Sequence, residues 1–365
     1  ALTKPKKDDV LFSIIGTIGE PYLMQSQDIF GLSSSVSILR PNQAVIFPKY
    51  LYYWIQGFIF QDSLYGIKGG VAQSYVSLEM IISLPLNYPP LPTQQKIAAI
   101  LSNYDDLIEN NTRRIKILEE MAQTLYHEWF VKFRFPGHEQ VNMVESDLGL
   151  IPEGWEVKNL GNIVIDIIDY RGKTPKKLGG DWSESGITAI SALNVKAGKL
   201  INLEKSKFIS EDLYKKWMKS ELKQGDILMT SEAPLGELYF LVREQKFCLS
   251  QRLYSIRANH ELIKPEILYF ALSSPLIQGE IIARQSGTTV LGIRQTELRK
   301  VPIVIPPIQL QINGAYKLEQ FLKAIDVLQQ KNKNLQKTRD LLLPKLISGE
   351  IDVENLEIDT GNIAA

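Results

Sequence analysis

The sequence predicts an α+β protein built as an internal repeat with pseudo-twofold character: two mixed α/β domains, each followed by a long helix. Three observations predict it. Matching residues recur 217 positions apart in an ungapped register, a Pro-Pro pair closes the last strand of each copy, and a coiled-coil period begins after each pair.

The register starts with Asp9-Val10-Leu11 on Asp226-Ile227-Leu228 and continues with Gly19-Glu20 on Gly236-Glu237 and Leu39-Arg40 on Ile256-Arg257. Pro48-Lys49-Tyr50-Leu51-Tyr52-Tyr53 then meets Pro265-Glu266-Ile267-Leu268-Tyr269-Phe270, Leu84-Pro85 meets Val301-Pro302, and Pro89-Pro90 meets Pro306-Pro307. Gly falling on Gly and Pro on Pro over about eighty residues means that the same turns and strand ends occur twice.

Within each copy, Val10 to Ile15 and Ile227 to Thr230 read as strands, and a further strand ends near Arg40 or Arg257. Pro48 and Pro265 sit where helices begin. Their apolar faces comprise Leu51, Trp54, Ile55 and Phe58, or Leu268, Ala271 and Leu272. A final strand, Ile81 to Leu86 or Val301 to Ile305, runs into Pro-Pro.

After the Pro-Pro pair the spacing of apolar residues alternates between four and three. Ile97, Leu101, Tyr104, Ile108, Asn111, Ile115, Leu118, Ala122, Leu125 and Trp129 form a seam with one polar position. A helix from Gln94 to Phe133 would be on the order of 60 Å long. Leu318, Phe321, Ile325, Leu328, Asn332, Leu335, Leu342 and Leu346 repeat the seam, again with one Asn, at an offset that rises to 220 or 221. Two such helices in one chain are expected to pack on each other, with the Asn positions setting register at some cost in stability; each helix merely covering its own domain is the alternative reading.

Composition is that of an ordinary globular protein, with 44% hydrophobic and 22% charged residues in 365. Lys plus Arg equal Asp plus Glu at 41 each, so any polyanion-binding face must come from local segregation of charge. One cysteine, Cys248, excludes an internal disulfide and fits a reducing cytoplasm. His127, His138 and His260 are too few for a His-rich metal centre. The most apolar stretch, Tyr50 to Phe60, holds Gln56 and Gly57 and falls short of the roughly 20 residues that a membrane span needs. No export signal is apparent, and no membrane association is expected.

The search for catalytic motifs returns little. No Gly-rich phosphate cradle and no His-Glu-x-x-His pair is present. Asp226 with Glu244 and Lys246 has the composition of a metal-dependent nuclease site, but Glu244 and Lys246 fall on Gln27 and Ile29 in the first copy. Asn87-Tyr88-Pro89-Pro90 holds the residues of an amino-methyltransferase motif in the wrong order. Binding residues are easier to nominate. After an apolar strand, Ile163 to Ile168, the loop Asp169-Tyr170-Arg171-Gly172-Lys173-Thr174-Pro175-Lys176-Lys177 offers four cations and an aromatic ring suited to phosphates and base edges. A solvated basic loop is the alternative reading.

Ser286-Gly287-Thr288-Thr289 with Arg294, and the matching segment from Lys68-Gly69-Gly70 to Gln73-Ser74, are Gly-led polar stretches whose amides and hydroxyls suit a phosphate backbone; ordinary loop chemistry fits them as well. Ser250-Gln251-Arg252 falls on Ser33-Ser34-Ser35. Copies that share turns and core but differ in polar loop residues are expected to bind similar partners of different detail.

These residues together resemble the specificity subunit of type I DNA restriction-modification enzymes. The resemblance rests on Leu150-Ile151-Pro152-Glu153-Gly154-Trp155, the loop Tyr170 to Pro175, Pro89-Pro90-Leu91 with Gln94-Gln95, and Leu346-Ile347-Ser348-Gly349-Glu350-Ile351, and it covers nearly the whole chain. Gln309-Leu310-Gln311 departs from the usual start of the second helix. The resemblance implies two target-recognition domains held apart by two antiparallel helices, each domain reading half of a bipartite site on double-stranded DNA.

It also implies a subunit without catalytic activity or cofactor of its own. Two adenine-N6 methyltransferase subunits and restriction/translocase subunits would be its partners, with S-adenosylmethionine and ATP bound by those partners. A coiled-coil scaffold that binds only protein is the competing expectation. The implied division is 1–92 for the first recognition domain, 93–147 for the first spacer helix and linker, 148–307 for the second domain, 308–350 for the second helix and 351–365 for a tail. Residues 151–217 have no counterpart in the first copy, so the first domain is expected to be N-terminally incomplete; if that shortening belongs to the protein itself, its half-site is expected to be read poorly or not at all.

Overall fold

Two buried aspartates show how the repeat is built. Asp9 and Asp226 are each 1% exposed and each receives a two-pronged guanidinium, from Arg40 at 2.7 and 2.7 Å and from Arg257 at 2.8 and 2.7 Å. A buried carboxylate is tolerable only when paired in this way. Burial by itself raises the Asp9 pKa, but the Arg40 guanidinium and the Lys6 amide outweigh it and hold the carboxyl below its ordinary value. The computed structural model describes residues 4–29, 31–67, 75–287 and 290–361, which divide into one compact unit of 1–114 with 328–365 and another of 115–327.

In the first unit, β1 (Val10–Ser13), β2 (Pro21–Leu23) and β3 (Val36–Leu39) form an antiparallel sheet in the order β2-β1-β3, with Leu11 opposite Tyr22 and Ile38. Helices α1 (Pro48–Gln56), α2 (Phe58–Ile67) and α3 (Leu78–Ile82) follow, then α4 (Leu91–Tyr126). Pro48 starts α1 because the first helical turn needs no amide donor from it. Val10 and Phe12 pack with Tyr50, Trp54, Ile55, Phe60 and Leu64, and Ile97 and Leu101 of α4 close the same core.

The second unit adds β4 (Met143–Ser146), β5 (Gly149–Pro152), β6 (Glu156–Asn159), β7 (Val164–Asp169), β8 (Ile187–Ile190), β9 (Val195–Lys196), β10 (Lys199–Leu200) and β11 (Lys207–Ile209). Then come α5 (Glu211–Trp217), β12 (Ile227–Thr230), β13 (Leu238–Phe240), β14 (Cys248–Leu249) and β15 (Leu253–Ala258). The chain finishes with α6 (Pro265–Ser273), α7 (Pro275–Ala283), α8 (Gln295–Leu298), β16 (Pro302–Ile305) and α9 (Ile308–Ile347). The first residues of β12, β13, β15, α6, α7, α8 and α9 each lie 217 positions after those of β1, β2, β3, α1, α2, α3 and α4.

The same glutamine fastens each long helix to its domain. Gln94 accepts from the Phe47 amide at 2.8 Å and donates to the Val45 and Pro89 carbonyls, both at 2.9 Å. Gln311 accepts from the Lys264 amide at 2.9 Å and donates to Leu262 at 3.0 Å and Pro306 at 2.7 Å. Both side chains are buried, so all three bonds are made away from water. Gln61 and Gln278 form a second matched pair, bridging the Gly19 and Ile55 carbonyls in one copy and Gly236 and Leu272 in the other.

The helical seam is buried where the period places it. Ile97, Leu101, Ile115, Leu318 and Ile325 are buried, and Leu118 and Leu335 half-buried. In the first unit Asn111 donates to Asn332 at 2.8 Å, and Asn332 donates in turn to the Ile108 carbonyl at 3.3 Å and the Thr112 hydroxyl at 3.2 Å. Asp105 meets Arg339 at 2.5 Å, so residue numbers run in opposite senses and the α4 and α9 segments of this unit are antiparallel. In the second unit α9 passes tightly beside α4's continuation: a Cβ on Gly314 would lie 2.5 Å from the Phe130 ring.

One expectation needs correction. Ile81 to Leu86 is not a strand: Leu78–Ile82 is helical and the following residues are irregular. Its counterpart β16 owes its extended form to β6, against which Val304 lies opposite Val157, and no described residue of the first unit takes the place of β6. Likewise β15 pairs with both β12 and β7, whereas among the described residues β3 pairs only with β1. After α9, Val353 is 1% exposed within the first core, and Lys96 donates to the Glu354 carbonyl at 2.7 Å. The compact units divide inside both long helices, so the residues of each unit pack as one body with the adjoining segments of α4 and α9.

Candidate nucleic-acid interface

The sheet β13-β12-β15-β7 is antiparallel throughout, which brings the C-terminal ends of β7 and β12 and the N-terminal end of β15 to one rim. The backbone of this rim is fixed by a short ladder. The Ser231 amide donates to the Arg252 carbonyl at 3.0 Å, Ile293 donates to Ser231 at 2.9 Å, and Glu232 bridges Gly292. Ser286 and Gly292 exchange bonds of 2.8 and 3.1 Å.

The first copy has the same ladder. Ile14 donates to the Ser35 carbonyl at 2.8 Å, Val76 donates to Ile14 at 3.0 Å, and Ile15 bridges Tyr75. Only the side chains differ: where the second copy has Glu232, Arg252 and Arg294, the first has Ile15, Ser35 and Ser77. A backbone frame common to both domains therefore carries different polar groups.

The loop after β7 is less free than its composition suggests. Arg171 is clamped by Asp169 through bonds of 2.8 to 3.0 Å and lies 4.4 Å over the ring of Tyr254. Burial pulls the Arg171 pKa down, but the Asp169 carboxylate more than offsets this and the guanidinium stays charged. Tyr170 is buried, its hydroxyl accepting from the Ser220 amide at 2.6 Å, and Lys173 donates to the Trp217 carbonyl at 2.8 Å while lying 4.3 Å over the Tyr170 ring. Burial and the neighbouring Lys219 both lower the Lys173 pKa.

Tyr170, Arg171 and Lys173 thus shape the loop, and Lys176 and Lys177 are left exposed on its outer side. Thr174 is half-buried, its hydroxyl accepting from the Lys177 amide at 3.4 Å, and Lys177 reaches back to the Gly172 carbonyl at 2.8 Å.

Arg252 stands in a left-handed conformation at φ 60°, which turns its half-exposed side chain across the rim, 3.5 Å from Glu232. Arg294 is exposed at the start of α8. Arg171, Arg252 and Arg294 therefore share one rim, with Lys176 and Lys177 beside it. Thr288 and Thr289 lie outside the described residues, as do Lys68, Gln73 and Ser74 of the first copy.

Sequence reasoning did not single out Asp169, Glu232 or Tyr254, whose work is to orient the arginines. Only the offset, which sets Glu232 against Ile15, could have flagged one of them. Among the described residues no group of three or more His, Cys, Asp or Glu side chains could hold a metal ion. Cys248 is fully buried and its thiol is pushed up to about 12 by that burial. No helix of the described residues is long and apolar enough to cross a membrane.

Two domains with one backbone frame and separately varied polar rims, each packed with segments of two long helices, define a protein of paired recognition modules. The chain belongs to the type I restriction modification DNA specificity domain family, whose sequence model matches residues 2–120 and 152–337. It is 30% identical over 318 residues to the type I restriction enzyme MjaIX specificity subunit of Methanocaldococcus jannaschii, covering 87% of this chain and 72% of that protein. The MjaVIII specificity subunit of the same organism is 27% identical over 330 residues, covering 89% and 75%. The crystal structure of the type I restriction-modification system S subunit from M. genitalium aligns over 94% of this chain and 83% of that one with a TM-score of 0.60 and 16% identity, a likeness of fold.

Proposed function

We propose that this chain is the DNA-reading, non-catalytic subunit of a type I restriction-modification assembly in the cytoplasm. Its two domains read the halves of a bipartite site on double-stranded DNA, and its helices fix the unread gap between them. It recruits two adenine-N6 methyltransferase subunits and the restriction/translocase subunits, which supply S-adenosylmethionine and ATP chemistry that this chain does not carry.

The observation that carries this reading is the shared rim: one backbone ladder, with Arg252, Arg294 and Glu232 in one copy against Ser35, Ser77 and Ile15 in the other. Side chains that vary on a constant frame suit base edges, which differ from site to site, while phosphates do not. Lys176, Lys177 and Thr174 supply phosphate contacts, and Arg171, Lys173 and Tyr170 hold the loop that presents them. Thr288, Thr289, Lys68, Gln73 and Ser74 belong to the same proposal on sequence grounds.

The test replaces Arg252 and Arg294 singly by Gln and measures affinity for preferred and arbitrary duplexes. An arginine that reads a base is worth about 1–3 kcal/mol of discrimination. Loss of preference with little change on arbitrary DNA is expected, and unchanged preference in both variants would remove the rim from the reading surface.

A further inference from the structure

The end of helix α5 and the three residues after it carry a lysine cluster that the reading rim does not use. Residues 213–220, Leu-Tyr-Lys-Lys-Trp-Met-Lys-Ser, contain three lysines and no carboxylate, and residues 170–180 contain Arg171, Lys173, Lys176 and Lys177 and no carboxylate. The two segments form one surface. Lys173 donates to the Trp217 carbonyl at 2.8 Å, the Tyr170 hydroxyl accepts from the Ser220 amide at 2.6 Å, and a Cβ on Gly180 would lie 3.2 Å from the Leu213 side chain.

Leu213, Tyr214, Trp217 and Met218 are buried, which leaves Lys215, Lys216 and Lys219 pointing to solvent with Lys176 and Lys177. Among the described residues none of Lys176, Lys215, Lys216 and Lys219 is held in an ion pair. Of the acids that border the two segments, Glu211 pairs with Lys246 and Asp169 with Arg171, while Asp181, Asp212 and Glu221 are exposed at the edges of the lysine cluster.

We infer that this α5 and loop surface is a phosphate clamp that grips the duplex beside the reading rim without regard to sequence. The inference rests on the DNA-reading proposal and adds to it a site and a role. The chemistry favours nucleic acid over protein. Five exposed ammonium groups on two packed segments, with no interleaved carboxylate or apolar gap, match a line of phosphates, whereas a protein interface would bury apolar surface at its centre. Lysines also suit this role because a point charge on a flexible stem follows phosphates without demanding one geometry. The surface is joined to the loop after β7 through Lys173 and Tyr170, and Arg171 of that loop stacks on Tyr254 of β15.

The experiment measures binding of the full chain to an arbitrary duplex across a salt series, with Lys215→Gln, Lys216→Gln and Lys219→Gln combined, and with the same three changed to Arg. Each phosphate contact contributes about 0.9 to the slope of log affinity against log salt, so the Gln triple should flatten it by about 2.7. The loss of affinity between about 50 and 200 mM salt would then be roughly 40-fold smaller than for the unaltered chain. The Arg triple should keep the slope, and preference for a duplex selected from a random pool should be the same in all three proteins.

An unchanged slope in the Gln triple overturns the clamp while leaving DNA reading intact. If the Gln triple binds DNA normally but no longer assembles with its methyltransferase partner, the surface faces an acidic protein and the clamp is wrong. A loss of preference in the Gln triple also overturns it, since the lysines would then be reading bases. If the unaltered chain binds no duplex at any salt, the underlying reading fails first, and that result is distinct from the others.

Discussion

The matched glutamines give the fold a prediction with an internal replicate. Replacing Gln311 by Leu keeps most of the side-chain volume but abandons the Lys264 amide and the Leu262 and Pro306 carbonyls at a site 1% exposed. A buried backbone group left without a partner costs about 1–3 kcal/mol. The amide has no second partner to turn to, while the carbonyls retain a second lone pair, so about 3–5 kcal/mol in total is expected.

For a domain of this size that is a fall in Tm of roughly 6–20 °C. Gln94→Leu should cost the same within about a factor of two, because it abandons Phe47, Val45 and Pro89 in the same geometry. Denaturant unfolding gives the energies, and amide exchange at Lys264 or Phe47 locates them. Gln311→Glu adds a control: its carboxylate would face two carbonyls, so its pKa in the folded protein should lie above the unfolded value of about 4.3. The penalty should therefore be smallest below that pH and grow as pH rises. If both Leu variants stayed within about 1 kcal/mol of the parent, the glutamines would not be what fastens helix to domain, and the stated reasoning would fail.

Other substitutions probe the seam and the paired aspartates. Asn332→Leu leaves buried Asn111 without its partner and should cost about 1–3 kcal/mol by denaturant unfolding, while Asn111→Leu with Asn332→Leu should recover much of that loss; a double change costing the sum of the singles would contradict it. Gly314→Ala gains helix propensity of about 1 kcal/mol but drives a Cβ to 2.5 Å from the Phe130 ring, so net destabilisation is expected and a rise in Tm would show that the ring yields freely. Because the Asp9 carboxyl is held below its ordinary value, it contributes stability that is present above the unfolded pKa of about 3.9 and disappears as pH falls through the folded value. Asp9→Asn should thus flatten the acid limb of the stability curve, and an unchanged limb would argue against the Arg40 pairing.

Much of the fold was legible because the repeat supplies two readings of each element. Turns marked by Gly19 and Gly236, helix starts at Pro48 and Pro265, and the seam with Asn111 and Asn332 are local signals, and each appears at its expected place. The failures are non-local. Ile81 to Leu86 has the composition of a strand, yet only a neighbour such as β6 could make it one. The site divides in the same way. The basic loop and Arg252 stand out by charge and by contrast between copies, but whether a cation is free or clamped depends on residues distant in sequence. Asp169 and Tyr254 immobilise Arg171, and Trp217 captures Lys173, which composition alone could not reveal. The lysines of α5 look like an ordinary solvated helix face until the loop is laid against them.

The most direct test of the account is selection of bound duplexes from a random-sequence pool by the full chain, with and without its methyltransferase partner, at near-physiological salt. The account predicts enrichment of a defined sequence block read by the second domain. Any second block should stand at a fixed spacing from it, and Arg252→Gln and Arg294→Gln should alter the second-domain block alone. A pool that emerges with no preferred sequence in either arm would contradict it.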